Sequence, residues 1–165
     1  MHPVVDLQIE YSLISHDVEN QIIPTLRELG IGMTAYGVLS RGLLSEGAAS
    51  GGSATGFRAH LPRFQGENLK HNLKLVGALR AIASQKGATV PQLAIAWALS
   101  RGEDIVPLVG ARRRERLAEA LGALDVELTA EDLAQIEAAV PAGAAAGDRY
   151  GAEQMAMLDS ERGGN

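Results

Sequence analysis

Three short strand-like runs, at residues 4–11, 31–36 and 105–109, are each followed by helical sequence, and no two of them adjoin. Strands separated by helices in this way lie parallel and are joined by crossovers that are right-handed almost without exception. In the first run Leu7, Ile9 and Tyr11 alternate with Gln8 and Glu10, so the two polar side chains share one face of a strand. Ile22, Ile23, Leu26 and Leu29 then form a helical stripe. Pro24 sets the start of regular helix near Asn20, and Gly30 stops it before a second strand, Ile31 to Tyr36.

Residues 37–65 are irregular, and Gly47 to Gly56, nearly all Gly, Ala, Ser and Thr, is expected to be mobile. Helical spacing returns at Asn68, through Leu69, Leu73, Val76 and Ile82, and lasts until Gly87. Thr89-Val90-Pro91-Gln92 has the form of a capping box. It opens a helix with Leu93, Ala96, Trp97 and Ser100 on one side, ending at Gly102. Ile105 to Val109 reads as a strand buried on both faces despite Pro107. Two helices follow. One carries Leu117, Leu121 and Leu124; the other is capped at Thr129, carries Leu133, Ile136 and Val140, and stops at Pro141. Ala142 to Asn165 is expected to be a loose tail, with Tyr150 and Met155 as its anchors.

This order makes three βα units. With 165 residues, 46% of them hydrophobic, the chain can build one compact core and not two. A closed (β/α)8 barrel needs eight such units and typically about 250 residues, so this chain is part of one or else a small open doubly wound sheet with unpaired edges. The formal net charge of −5 creates no global field for nucleic acid, and no run of about 18 uncharged apolar residues occurs. Neither nucleic acid nor membrane is therefore expected as a partner. The absence of Cys excludes disulfides and thiolate metal sites and fits a cytoplasmic protein. His2, His16, His60 and His71 show no ligand-pair spacing, so no metal is expected and they read as surface or packing residues.

Parallel α/β proteins place their sites at the C-terminal ends of the strands, here residues 12–17, 36–42 and 110–116. Arg112, Arg113, Arg114 and Arg116 crowd the first turn of a helix, where the macrodipole disfavours cations by roughly 0.3–1 kcal/mol each. A bound phosphate reverses that penalty, because backbone N–H groups and guanidiniums then act together. The structural alternative is a solvated arginine run reaching Glu115 or Glu119. Tyr36 to Gly42 offers an aromatic face, a flexible backbone and the cation Arg41, suited to stacking a ring and cradling a diphosphate, or simply to half-buried packing. Gln8 suits an amide-bearing ligand, or a hydrogen bond to a neighbouring strand. All three lysines, Lys70, Lys74 and Lys86, fall on the long helix, so none lies at a strand end beside a tyrosine whose pKa it would lower.

Four segments carry a resemblance: Gln8-Ile9-Glu10-Tyr11-Ser12-Leu13, residues Leu29 to Tyr36 (LGIGMTAY), Pro91 to Leu99 (PQLAIAWAL) and Val109 to Glu119 (VGARRRERLAE). In order and spacing, over residues 3–140, they resemble the aldo-keto reductase family, from strand six of its barrel onward and closest to the bacterial and potassium-channel-β-like branch. The resemblance implies an α/β fold, a partial (β/α)8 barrel of the last three βα units plus C-terminal helices, with residues 1–141 as that half and 142–165 as the tail. It also implies NADPH as cofactor and a small carbonyl compound, an aldehyde or ketone, as substrate. By matching motif positions, Gln8 would hold the nicotinamide carboxamide and Tyr36 would stack on the nicotinamide ring. Gly37, Leu39 and Arg41 would line the diphosphate, and Arg58 resembles the loop arginine that folds over the cofactor. Gly110, Arg112, Arg113, Arg116 and Glu119 would surround the 2′-phosphate and adenine. Ala120 departs from the family, which usually has Asn there. The family's catalytic Asp, Tyr, Lys and His belong to earlier strands, so no catalytic residue is assigned in this sequence. The expected partner is a complementing N-terminal half or a second copy; the alternative is a non-catalytic nucleotide-binding or assembly module, a truncated gene product.

Overall fold

The computed structural model describes residues 2–45 and 56–158, so the glycine-rich stretch at 47–56 lies outside it apart from Gly56. Strands β1 (Asp6–Glu10), β2 (Gly32–Tyr36) and β3 (Ile105–Pro107) form one parallel sheet in that order. Asp6 is in register with Gly32 and Glu10 with Tyr36, while Met33 pairs with Ile105. Helix α1 (Ile22–Leu29) joins β1 to β2, and α2 (Gly66–Gln85) and α3 (Val90–Ser100) join β2 to β3. Helices α4 (Arg114–Leu121) and α5 (Ala130–Ala139) follow β3. Among the described residues no helix is long and apolar enough to cross a membrane.

Local chemistry sets these boundaries. Gly30 takes a left-handed φ of 65° and its N–H reaches back to Arg27 and Leu26, closing α1 as only glycine does cheaply. Thr89 with Gln92 and Thr129 with Asp132 form reciprocal capping boxes that satisfy the first N–H groups of α3 and α5. The helices seal one face of the sheet: Met33, Ala35 and Ile105 are buried there beneath Leu79, Leu93 and Trp97.

The other sheet face is open, and this corrects the reading of β3 as buried on both sides. Ile105 is buried, but Val106 is 60% and Leu108 52% exposed, because no layer of described residues lies over them. The stripe of Leu117, Leu121 and Leu124 is likewise exposed, since α4 turns it away from α3; only Ala123 is buried there. Leu29 is exposed as well, outside the buried part of its own stripe, Ile23 and Leu26.

The segment after Pro141, expected to be loose, is tied down through residue 150. Asn72, buried on α2, donates to the Ala146 carbonyl at 2.9 Å and accepts from its N–H at 2.8 Å. The His71 ring lies 2.8 Å from the Ala144 carbonyl, and Arg149 is buried against Glu10. An inward amide that satisfies both backbone groups lets this Ala- and Gly-rich chain lie against α2 without orphaned hydrogen bonds. A single-turn helix α6 (Ala152–Met155) follows.

Candidate functional site

The site grows from the C-terminal ends of β2 and β3. Beyond Tyr36 the chain turns sharply, with Ser40 at φ 46° and Arg41 at φ 56°, both in the left-handed region that non-glycine residues avoid. Such conformations cost on the order of 1–3 kcal/mol each and persist only where the surroundings hold them. Here a buried contact of 3.0 Å joins the Ser12 and Ser40 hydroxyls, and buried Leu43 and Leu44 anchor the far side. The turn aims Arg41 inward, placing its Nη2 3.2 Å from Glu10 Oε2. Arg58, from a short turn at Gly56–His60, lays its guanidinium over Gly42, where a Cβ would come within 2.6 Å of Nη2.

From β3, the Leu108 N–H donates to the Ala35 carbonyl at 2.8 Å and carries the chain up to Gly110. Arg113 is the N-cap of α4 and no side chain caps it, while Arg116 Nη1 donates to Glu119 Oε2 at 2.8 Å. Between these loops lies a cleft of about 480 Å³, whose apolar side is formed by Pro91, Ile95, Leu108 and Ala120. The fold brings together around it Gly37, Leu39, Arg41, Arg58, Gly110, Arg112, Arg113, Arg116 and Glu119. Five arginines thus face one glutamate, with the uncapped start of α4 at the mouth. Forked guanidiniums beside unfilled helix N–H groups suit a phosphate-bearing ligand. Among the described residues no Lys, His or Tyr lines the cleft, and no group of three metal-ligating side chains occurs.

Gln8 and Tyr36 stand outside the cleft wall. Gln8 is exposed on the open sheet face, which Tyr36 shares through the register of β1 and β2. The Tyr36 hydroxyl lies 3.3 Å from that of Tyr150, and burial, then Tyr150, pushes its phenol up to about 12. It therefore remains protonated at neutral pH.

Further residues, among them Tyr150, which the sequence offers only as an anchor of the C-terminal segment, lie beside the cleft. Glu10, Ser12 and Ser40 are buried, and Arg149 and Tyr150 reach the site from the C-terminal segment. A carboxylate two positions after Gln8, on the same face of a strand end, was the available signal for Glu10. Arg149 had no local one, since its partner is at the other end of the chain.

The model of the aldo/keto reductase family matches residues 1–141. The chain belongs to the aldo/keto reductase family. A probable aldo-keto reductase from Glycine max is 42% identical to this family member over 152 residues, 91% of this chain and 44% of that one. A glycerol dehydrogenase from Gluconobacter oxydans is similar in structure, with a TM-score of 0.74 at 25% identity, covering 84% of this chain and 42% of the other. An aldo-keto reductase from Klebsiella pneumoniae, solved in complex with NADPH, shares the fold with a TM-score of 0.60 at 23% identity, covering 84% and 40%. This aldo/keto reductase chain spans about two fifths of the length of these relatives.

Proposed function

We propose that the arginine-lined cleft takes the diphosphate and the phosphorylated ribose of NADPH, and that residues 1–141 are the cofactor-binding C-terminal half of a (β/α)8 barrel that reduces aldehydes or ketones. The observation that carries this reading is the set of five arginines gathered at the strand ends and at the start of α4. The donor set fits the group. Arg41 and Arg58, beside the turn after β2, would meet the diphosphate oxygens; Arg112, Arg113 and Arg116 would meet the 2′-phosphate, with Glu119 holding the Arg116 side chain in place. Gln8 and Tyr36, on one sheet face, would receive the nicotinamide. When bound, NADPH supplies the hydride for carbonyl reduction.

A proton must also reach the carbonyl oxygen, and the absence of Lys, His and Tyr from the cleft lining favours a second reading, a module that binds the nucleotide without turning over substrate. The purified chain, mixed with NADPH and a panel of aldehydes, tests the cofactor reading and the missing proton donor together. Saturable nicotinamide fluorescence without NADPH oxidation is expected of the chain by itself. Turnover that survives removal of contaminating enzymes contradicts the missing proton donor, and absence of binding contradicts the cofactor reading altogether.

A further inference from the structure

Glu10 is 2% exposed at the end of β1 and sits beside Tyr36 in the sheet register. Its Oε2 lies 3.2 Å from Arg41 Nη2 and 3.4 Å from Arg149 Nη1, and it accepts from the Tyr150 hydroxyl at 3.4 Å. Its Oε1 accepts from Ser15 Oγ at 3.5 Å. The Tyr150 ring centroid lies 4.3 Å from Arg41 Cζ, and the Tyr150 hydroxyl meets that of Tyr36. Gly37 makes this possible, because a Cβ there would stand 3.0 Å from Glu10 Cγ. One carboxylate thus holds groups from β1, the turn after β2 and the C-terminal segment at a single point.

We infer that Glu10 is a positioning residue of the cofactor cleft and that Arg149 and Tyr150 brace Arg41 at the edge of that cleft. The inference rests on the NADPH reading above. Arg149 is buried and Arg41 is 25% exposed, so of the two guanidiniums sharing Glu10 it is Arg41 that presents charge to the cleft. A carboxylate that fixes Arg41 before the ligand arrives removes the ordering cost of a long flexible side chain from binding. Stability by itself gives no reason for this arrangement, since a buried ion cluster is often matched or exceeded by apolar packing. The cluster also grips the strained Ser40–Arg41 turn, whose conformation is what aims the cation. Tyr150 extends the wall from Arg41 to Tyr36, so the C-terminal segment borders the end of the site where the nicotinamide would lie.

Titration of NADPH by nicotinamide fluorescence, paired with thermal melts, tests this on the unmutated chain, Glu10→Gln, and Glu10→Gln combined with Arg149→Met. Glu10→Gln is expected to bind NADPH roughly tenfold more weakly. The double variant returns the cluster to its original net charge and is expected to regain thermal stability without regaining affinity, because Arg41 is still unheld. Affinity that is unchanged in Glu10→Gln, or that returns together with stability in the double variant, overturns the inference. A readout on the unmutated chain stands beside these should the variants fail to fold: trypsin cleaves after Arg149 only when the segment opens, and NADPH is expected to slow that cut. An unchanged or faster cut overturns the inference. Failure of the unmutated chain to bind NADPH contradicts the cofactor reading and this inference with it, whereas equal binding by the unmutated chain and Glu10→Gln contradicts this inference and leaves the cofactor reading standing.

Discussion

His16 packs against Trp97, with ring centroids 5.0 Å apart, and its Nδ1 lies 3.5 Å from Glu19 Oε2 without the geometry of a hydrogen bond. Burial works against a charged imidazole here, yet Glu19, with the Leu13 backbone and Glu137 adding to it, outweighs the burial and raises the His16 pKa above 6.5. Burial also opposes the Glu19 carboxylate, but His16, Tyr11 and Arg101 together hold its pKa below 4.5. A raised histidine pKa contributes stability that is complete below 6.5 and lost as pH rises through the folded value; a lowered glutamate pKa contributes stability present above 4.5 and lost as pH falls through its folded value. Thermal melts across pH are therefore expected to peak at about pH 5–6 and to fall on both sides. Replacing His16 with Phe should flatten the alkaline limb, and an unchanged limb in His16→Phe contradicts the assignment. In the sequence His16 was legible only as a surface or packing histidine, because no ligand spacing surrounded it. Its carboxylate partner three residues on became meaningful only once Trp97 and Arg101 were folded against both.

Helix starts and stops were the most legible elements, because their chemistry is confined to a few neighbouring residues. The capping box at Thr89 and Gln92 is an example: the Gln92 N–H donates to Thr89 Oγ1 at 3.3 Å and the Gln92 side chain accepts from the Thr89 N–H at 2.9 Å. Thr89→Ala should cost about 1 kcal/mol in urea unfolding; a change indistinguishable from zero contradicts the cap. The open face of β3, the exposed stripe on α4 and the docked C-terminal segment were not legible. The unbroken apolar run Ile105 to Val109 shows that both faces want cover, without showing whether cover is there. Asn72 and Ala146 are separated by 74 residues, and nothing near either announces the pair. Asn72→Ala leaves both backbone groups of Ala146 without their partner, so it should destabilise by about 1–3 kcal/mol and hasten proteolysis within 142–150. Unchanged protease resistance would show that the segment is held some other way.

For the molecule as a whole, the order of the three parallel strands, the arginine-rich strand ends and the existence of an uncovered sheet face followed from pattern, while the particular residues left exposed emerged only in three dimensions. β1 and β3 are both sheet edges, Val106 and Leu108 face outward on the open side, and Leu117, Leu121 and Leu124 are exposed as well. Burying an exposed side chain of this kind contributes about 1.5–3 kcal/mol, and several together rival the 5–15 kcal/mol stability of a typical domain. Sedimentation at micromolar concentration should therefore reveal self-association, or tight association with a complementing barrel half when one is supplied. A monomer that melts in one sharp transition contradicts this. The central claim, that the arginines around the start of α4 receive a 2′-phosphate, is tested most directly by fluorescence titration of NADPH against NADH, with Arg116→Ala alongside. Charge-assisted hydrogen bonds are worth roughly 1.5–3 kcal/mol each, so the unmutated chain should prefer NADPH by at least about tenfold and Arg116→Ala should erode that preference. Equal affinity of the unmutated chain for the two nucleotides would contradict the claim.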